Sequence, residues 1–120
     1  MARGIVANNR PLIVVTIAMG TAVQQVVALV DTGFTGELKI SEHHMQELGL
    51  KQTHVEKVSL ADDSTIEMPA SIAYVAMDNV VHLVNVLVAP GGVIVGAGLM
   101  STFGQTLTIN FPLNSVTLTA

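Results

Sequence analysis

The chain has 120 residues, of which 50% are hydrophobic and 12% charged, with no cysteine and a formal net charge of −4. That length fits one domain spanning 1–120, and the missing cysteine excludes a disulfide framework and a thiolate nucleophile or ligand, which fits a cytoplasmic protein. Five Lys+Arg and 3% aromatic residues argue against a nucleic-acid partner, while a mean hydropathy of +0.59 asks for apolar surface to be covered by a partner or a membrane.

Val, Ile and Thr dominate, and turn signals recur at Asn8-Asn9, Met19-Gly20, Ala61-Asp62-Asp63-Ser64, Asp78-Asn79, Pro90-Gly91-Gly92 and Pro112-Leu113-Asn114. Many short strands with such punctuation predict an all-β barrel or sandwich. Strands are expected over Gly4–Ala7, Leu12–Ala18, Ala22–Val30, Leu38–Ile40, Val55–Leu60, Thr65–Met77, Val80–Val88, Val93–Val95, Thr106–Asn110 and Ser115–Thr119. One helix is expected over Glu42–Leu48, with Ser41 as N-cap and Gly49 as its stop, and a shorter one over Leu99–Phe103 before Gly104. Met45 and Leu48, three apart, give the first helix one packing face.

The run from Pro11 to Val30 carries no charge, so a membrane span is the competing reading. Gly20, two threonines and Gln24-Gln25 break it mid-segment, and a hairpin accounts for it better than a helix of about 20 apolar residues. No basic segment followed by a compact apolar run and a small-residue cleavage site marks a secretory signal.

The feature that carries chemistry is Asp31-Thr32-Gly33. It follows the apolar run Val26-Val27-Ala28-Leu29-Val30 and precedes Phe34-Thr35-Gly36. A strand ending in this triplet sets a carboxylate at a strand-to-loop corner, with a hydroxyl and a glycine backbone close enough to hold it for acid–base work. The motif occurs once. If Asp31 works in a carboxylate pair, the second comes from another copy of the chain.

Three segments in order resemble the retropepsin-like aspartic proteases, the family of retroviral proteases and their cellular relatives. Ala28-Leu29-Val30-Asp31-Thr32-Gly33 is similar to the active-site motif. The polar hairpin Leu60-Ala61-Asp62-Asp63-Ser64-Thr65 sits where that family has its flap. Val93-Ile94-Val95-Gly96, followed by Ala97-Gly98-Leu99-Met100, is similar to the second signature. The Asp-Thr-Gly-Phe form with a helix soon after is most like the small bacterial and archaeal branch.

The resemblance implies an acid-protease barrel with one or two short helices, working as a homodimer on a peptide or protein substrate, without metal or organic cofactor. It makes Asp31 the catalytic residue, with Thr32 locking two loops across a two-fold axis and Gly33 letting backbone approach substrate. Phe34, Thr35, Ala61, Asp62, Asp63, Ser64 and Ile94 would contact the substrate. In dimeric relatives the termini interleave into an intersubunit sheet, a role open to the apolar ends, Met1–Asn8 and Leu107–Ala120. For 61–64, an ordinary solvated turn is the alternative to a flap.

The chain departs from the retroviral pattern together at two places. Phe34 and Thr35 stand where Ala and Asp are usual, and Ala97 and Gly98 where Arg and then Asp or Asn are usual. The Asp and Arg of that family pair, so their joint absence strands no charge. Phe34 either narrows the pocket or packs beneath it. A retropepsin-like binding or scaffold module without catalysis is the second reading, and a membrane-associated β protein the third.

Other candidates are weaker. Adjacent His43 and His44 point about 100° apart on a helix and rarely share a metal, and His54 and His82 are isolated, so all four are expected to face solvent. Ser64 and Ser101 lack the setting of a nucleophile elbow. Gly91-Gly92 and Gly96-Ala97-Gly98 lack the spacing of a phosphate loop and read as a tight turn and a close backbone approach.

Overall fold

The computed structural model describes residues 2–59 and 62–120. Ten strands and two helices follow in the order β1 (Ala2–Ala7), β2 (Arg10–Met19), β3 (Ala22–Asp31), β4 (Leu38–Ile40), α1 (Glu42–Glu47), β5 (His54–Ser59), β6 (Thr65–Met77), β7 (Val80–Val88), β8 (Ile94–Gly96), α2 (Ala97–Phe103), β9 (Thr106–Asn110) and β10 (Ser115–Thr119). The sheet order is β5-β6-β7-β4-β8-β3-β2-β1-β10-β9, and β6 also pairs with β2. That extra pairing closes β2, β3, β8, β4, β7 and β6 into a six-stranded barrel. The hairpin strand β5 projects from one side, and the strands β1, β10 and β9 extend from the other.

Turn residues set these boundaries. Asn8 and Asn9 both take positive φ, as do Asp78 and Asn79, the two-residue hairpin geometry that suits the twist of the flanking strands. The uncharged Pro11–Val30 run folds as the β2–β3 hairpin, turning at Gly20 with φ +60. Ser41 caps α1 by accepting the His44 N–H, and Leu48 ends it. Among the described residues no helix is long and apolar enough to cross a membrane.

Alternation sends one face of each barrel strand inward. Val15, Ile17, Ala28, Leu38, Ile40, Val75, Val86, Val95 and Leu99 are fully buried, and Leu48 joins them with Met45 packed against its edge. Ser71, the one buried polar side chain among the described residues, donates to the Lys51 carbonyl at 2.6 Å.

One expectation is narrowed and one needs correction. Of the terminal segments, β1 is not left free for a partner: it pairs with β10 within the chain, Ala2 opposite Leu118 and Ile5 opposite Ser115, and its other edge is taken by β2. The strand left at that end of the sheet is β9. The histidines do not all face solvent either. His43 is exposed and lies 2.7 Å from Glu47. His44, His54 and His82 are half-buried, because His44 bonds Gln24 at 3.1 Å, His54 bonds Glu56 at 2.9 Å, and His82 sets its ring edge-on to Phe103 at 4.6 Å.

Candidate active site

Asp31 is the last residue of β3. The chain turns at once, with the Phe34 N–H donating to the Asp31 carbonyl at 3.1 Å. Within that turn the Gly33 N–H donates to Asp31 Oδ1 at 2.9 Å. A backbone donor that cannot swing away fixes the carboxylate more firmly than a side chain would. Asp31 remains half-exposed and Thr32 exposed, so the acid is anchored yet open to a reactant.

The corner is braced from the other end of the chain. β8 runs parallel to β3 with Asp31 opposite Gly96, and the Leu29 N–H donates to the Val93 carbonyl at 2.9 Å. After Asp31 the loop folds back over β8 and α2. The N–H groups of Gly96, Ala97 and Gly98 donate to the carbonyls of Glu37, Phe34 and Gly36 at 3.1, 2.8 and 3.1 Å. The two sequence signatures therefore meet backbone to backbone. A Cβ on Gly96 would lie 2.3 Å from the Gly36 oxygen, and one on Gly98 would lie 2.7 Å from the Thr35 oxygen. Phe34 settles as a half-buried ring packed across Gly36 and Gly96: a Cβ on Gly36 would meet its Cζ at 2.5 Å, and one on Gly96 its Cδ2 at 2.6 Å.

Two further residues, not singled out by the sequence reading, hold this corner. Glu37 accepts the Asn85 N–H at 3.0 Å through Oε1 and the Thr102 hydroxyl at 2.6 Å through Oε2. It ties the returning loop to β7 and α2. Lys39 donates to the carbonyls of Pro90 and Gly92 at 2.8 and 2.7 Å, fixing the turn that leads into β8. Burial pulls its ammonium below the usual 10.5. A Glu directly after Gly36 was the only sequence signal for the first. Nothing local marks the second.

Beside the loop lies a cleft of about 270 Å³ between Phe34, Thr35 and Gly36 on one side and residues 56–59 of β5 on the other, with Leu87 also lining it. The structure thus brings Phe34 and Thr35 to a cleft facing the hairpin. It does not bring every expected contact there. Ile94 sits in β8 opposite Leu29 and is not part of the cleft lining. Asp62, Asp63 and Ser64 are exposed at the hairpin tip, and Ala61, with Leu60, lies outside the described residues. Asp62 Oδ1 accepts both the N–H of Ser64 at 3.0 Å and its hydroxyl at 2.5 Å. These bonds, the hydroxyl first, hold the Asp62 carboxyl below its ordinary value of 3.8. No group of three or more His, Asp or Glu side chains among the described residues is placed to hold a metal ion.

No protein-family profile matches the chain, and no curated protein matches it. Solved structures do. A retropepsin-like aspartic protease from Rickettsia conorii superposes with a TM-score of 0.66 at 15% identity, over 97% of this chain and 86% of that one. The EIAV protease, solved with an inhibitor, superposes with a TM-score of 0.63 at 17% identity, over 84% of this chain and 94% of that one. With the closed barrel, the parallel β3–β8 pairing and the Asp-Thr-Gly corner already in place, these likenesses show that the chain has the retropepsin-like fold.

Proposed function

We propose that the protein is an aspartic-type endopeptidase whose working unit is a homodimer, with Asp31 of each copy forming the carboxylate dyad. The observation that carries this reading is the half-exposed Asp31 carboxylate, held by the Gly33 N–H at a corner braced by β8. The likeness to two proteases supports the same chemistry.

Two carboxyls about 3 Å apart cannot both ionise, so the pair holds one shared proton. The ionised partner takes a proton from water, and the oxygen of that water bonds to the scissile carbonyl carbon. The protonated partner gives its proton to the carbonyl oxygen. The tetrahedral diol then collapses as the C–N bond breaks, the amine nitrogen leaving with a proton returned through the dyad. Apparent pKa values belong to the pair rather than to either copy. Thr32, exposed at the corner, is free to meet its counterpart across the two-fold axis, and the β5–β6 hairpin would cover bound peptide.

A binding or scaffold module is the second reading, favoured by one observation: β1 and β10 satisfy each other within one chain. One experiment separates the two. Wild type and Asp31→Asn are incubated with a diverse peptide library from pH 4 to 7. Cleavage by wild type that vanishes in Asp31→Asn is the expected outcome. Absence of cleavage by both would move the weight to the binding module, and equal cleavage by both would refute the dyad.

A further inference from the structure

The cleft beside the catalytic loop carries one charge whose surroundings single it out. Along β5, His54, Glu56 and Val58 are half-buried while Val55, Lys57 and Ser59 are exposed. Glu56 and Val58 therefore share the inward face, across the cleft from Phe34 and Thr35. Lys57 also borders the cleft, but its side belongs to the outer face, where Glu67 stands directly opposite it on β6 and both are exposed. Opposite charges at facing positions across a hairpin compensate each other. The residue opposite Glu56 is Met68, so Glu56 has no such cation.

Its polar neighbour is an imidazole. His54 Nε2 lies 2.9 Å from Glu56 Oε1, and His54 Nδ1 lies 2.6 Å from the Thr53 hydroxyl. With Nε2–H donating to Glu56, Nδ1 meets the Thr53 hydroxyl, which can donate or accept. That arrangement orients the carboxylate and engages one of its two oxygens. Phe34, Val58 and Leu87 add apolar surface to a mainly polar cleft that Thr35, Lys57 and Ser59 also line.

We propose that Glu56 makes this cleft a binding site for a basic substrate side chain, arginine or lysine, so that the protein selects cationic peptides. The proposal rests on the peptidase reading. The aliphatic stem of such a side chain suits the surface of Phe34, Val58 and Leu87, and its charged head suits the half-exposed carboxylate. A net charge of −4 favours the approach of the same substrates.

The test uses fluorogenic peptides identical except at one scanned position, which carries arginine, norleucine or glutamate. The readout is the ratio of kcat/KM between arginine and norleucine peptides. For wild type the ratio is expected to reach about tenfold at one position, the scale of one charge-assisted hydrogen bond. Glu56→Gln should bring it close to unity, and Glu56→Lys should invert selectivity toward the glutamate peptide. Glu67→Gln, on the outer face, should leave the ratio as in wild type. A wild type without basic preference, or a Glu56→Gln that keeps it, would overturn the proposal. If wild type cleaves nothing, the peptidase reading falls, and fluorescence anisotropy with the same labelled peptides still decides the site. Selective binding of the arginine peptide that is lost in Glu56→Gln would uphold it. Equal binding of arginine and norleucine peptides would overturn it.

Discussion

Around Asp31 the backbone leaves no room for a methyl group, whereas the neighbouring β5–β6 hairpin carries its exposed tip on a short Asp62–Ser64 turn. At the first place, three N–H groups from residues 96–98 meet three carbonyls from the loop after Asp31, and Gly96 and Gly98 exist because any Cβ would strike those carbonyls. At the second, an edge strand with alternating exposure reaches out from the barrel on one partner, β6. The contrast follows from what the proposed chemistry asks of each. An acid held to within about 0.5 Å needs a scaffold without slack, while a segment that admits and covers a peptide must come from the less stable end of the molecule.

Five variants sharpen or break that contrast. The largest effect is expected from Asp31→Asn, which should lower kcat by at least about 10³-fold, within the range of general acid–base catalysis, while circular dichroism stays that of wild type. Retained turnover would detach the rigid corner from catalysis. Next comes Gly96→Ala, whose new methyl meets backbone oxygen. It should cost about 3 kcal/mol in urea unfolding, whereas Gly92→Ala, with open space around it and no positive φ, should be neutral or stabilising by about 0.5 kcal/mol. Equal costs at the two glycines would show that the corner is not packed as described. Glu37→Ala removes the acceptor of the Asn85 N–H and the Thr102 hydroxyl, and a loss of about 2 kcal/mol is expected by the same measurement.

The smallest effect lies at the hairpin tip. The Asp62 carboxyl is held below 3.8, so the Ser64 bonds favour the fold fully above that pH. Their contribution is lost as pH falls through the lower, folded value. Ser64→Ala should raise the Asp62 midpoint toward 3.8 in a carbon-13 carboxyl titration, with little change in overall stability. An unmoved midpoint would remove Ser64 as the cause.

Much of the fold could be read from the chain because its turns are written in residues that tolerate positive φ. The expected strands Thr65–Met77, Val80–Val88, Thr106–Asn110 and Ser115–Thr119 match β6, β7, β9 and β10 end to end, bounded in two cases by Asp78-Asn79 and Asn114. β2 begins at Arg10 rather than Leu12, because the Asn8-Asn9 turn is complete in two residues and Pro11, opposite Val6, stays in the strand. α2 begins at Ala97 rather than Leu99. Gly98 reads locally as a helix breaker, but here it is demanded by the Thr35 carbonyl lying over it. The Asp31 corner was visible as a motif. Glu37, Lys39 and Glu56 were not, since their roles depend on partners 48 or more residues away in the first two cases and on the facing parity of one strand in the third. The pairing of β1 with β10 was hidden because an apolar terminal strand reads alike whether its neighbour is its own chain or another.

The parallel pairing of β3 with β8 also sets an order of events. Asp31 reaches its corner only when residues 94–98, more than half the chain later, have arrived to brace it. Joining such distant segments must meet the entropy of closing a long loop before any contact rewards it. While the chain emerges from a ribosome, the β2–β3 hairpin can form early, but its terminal carboxylate stays an unbraced acid on a strand end. The braced corner is thereby tied to completion: an unfinished chain holds the motif without its brace until the last third has folded.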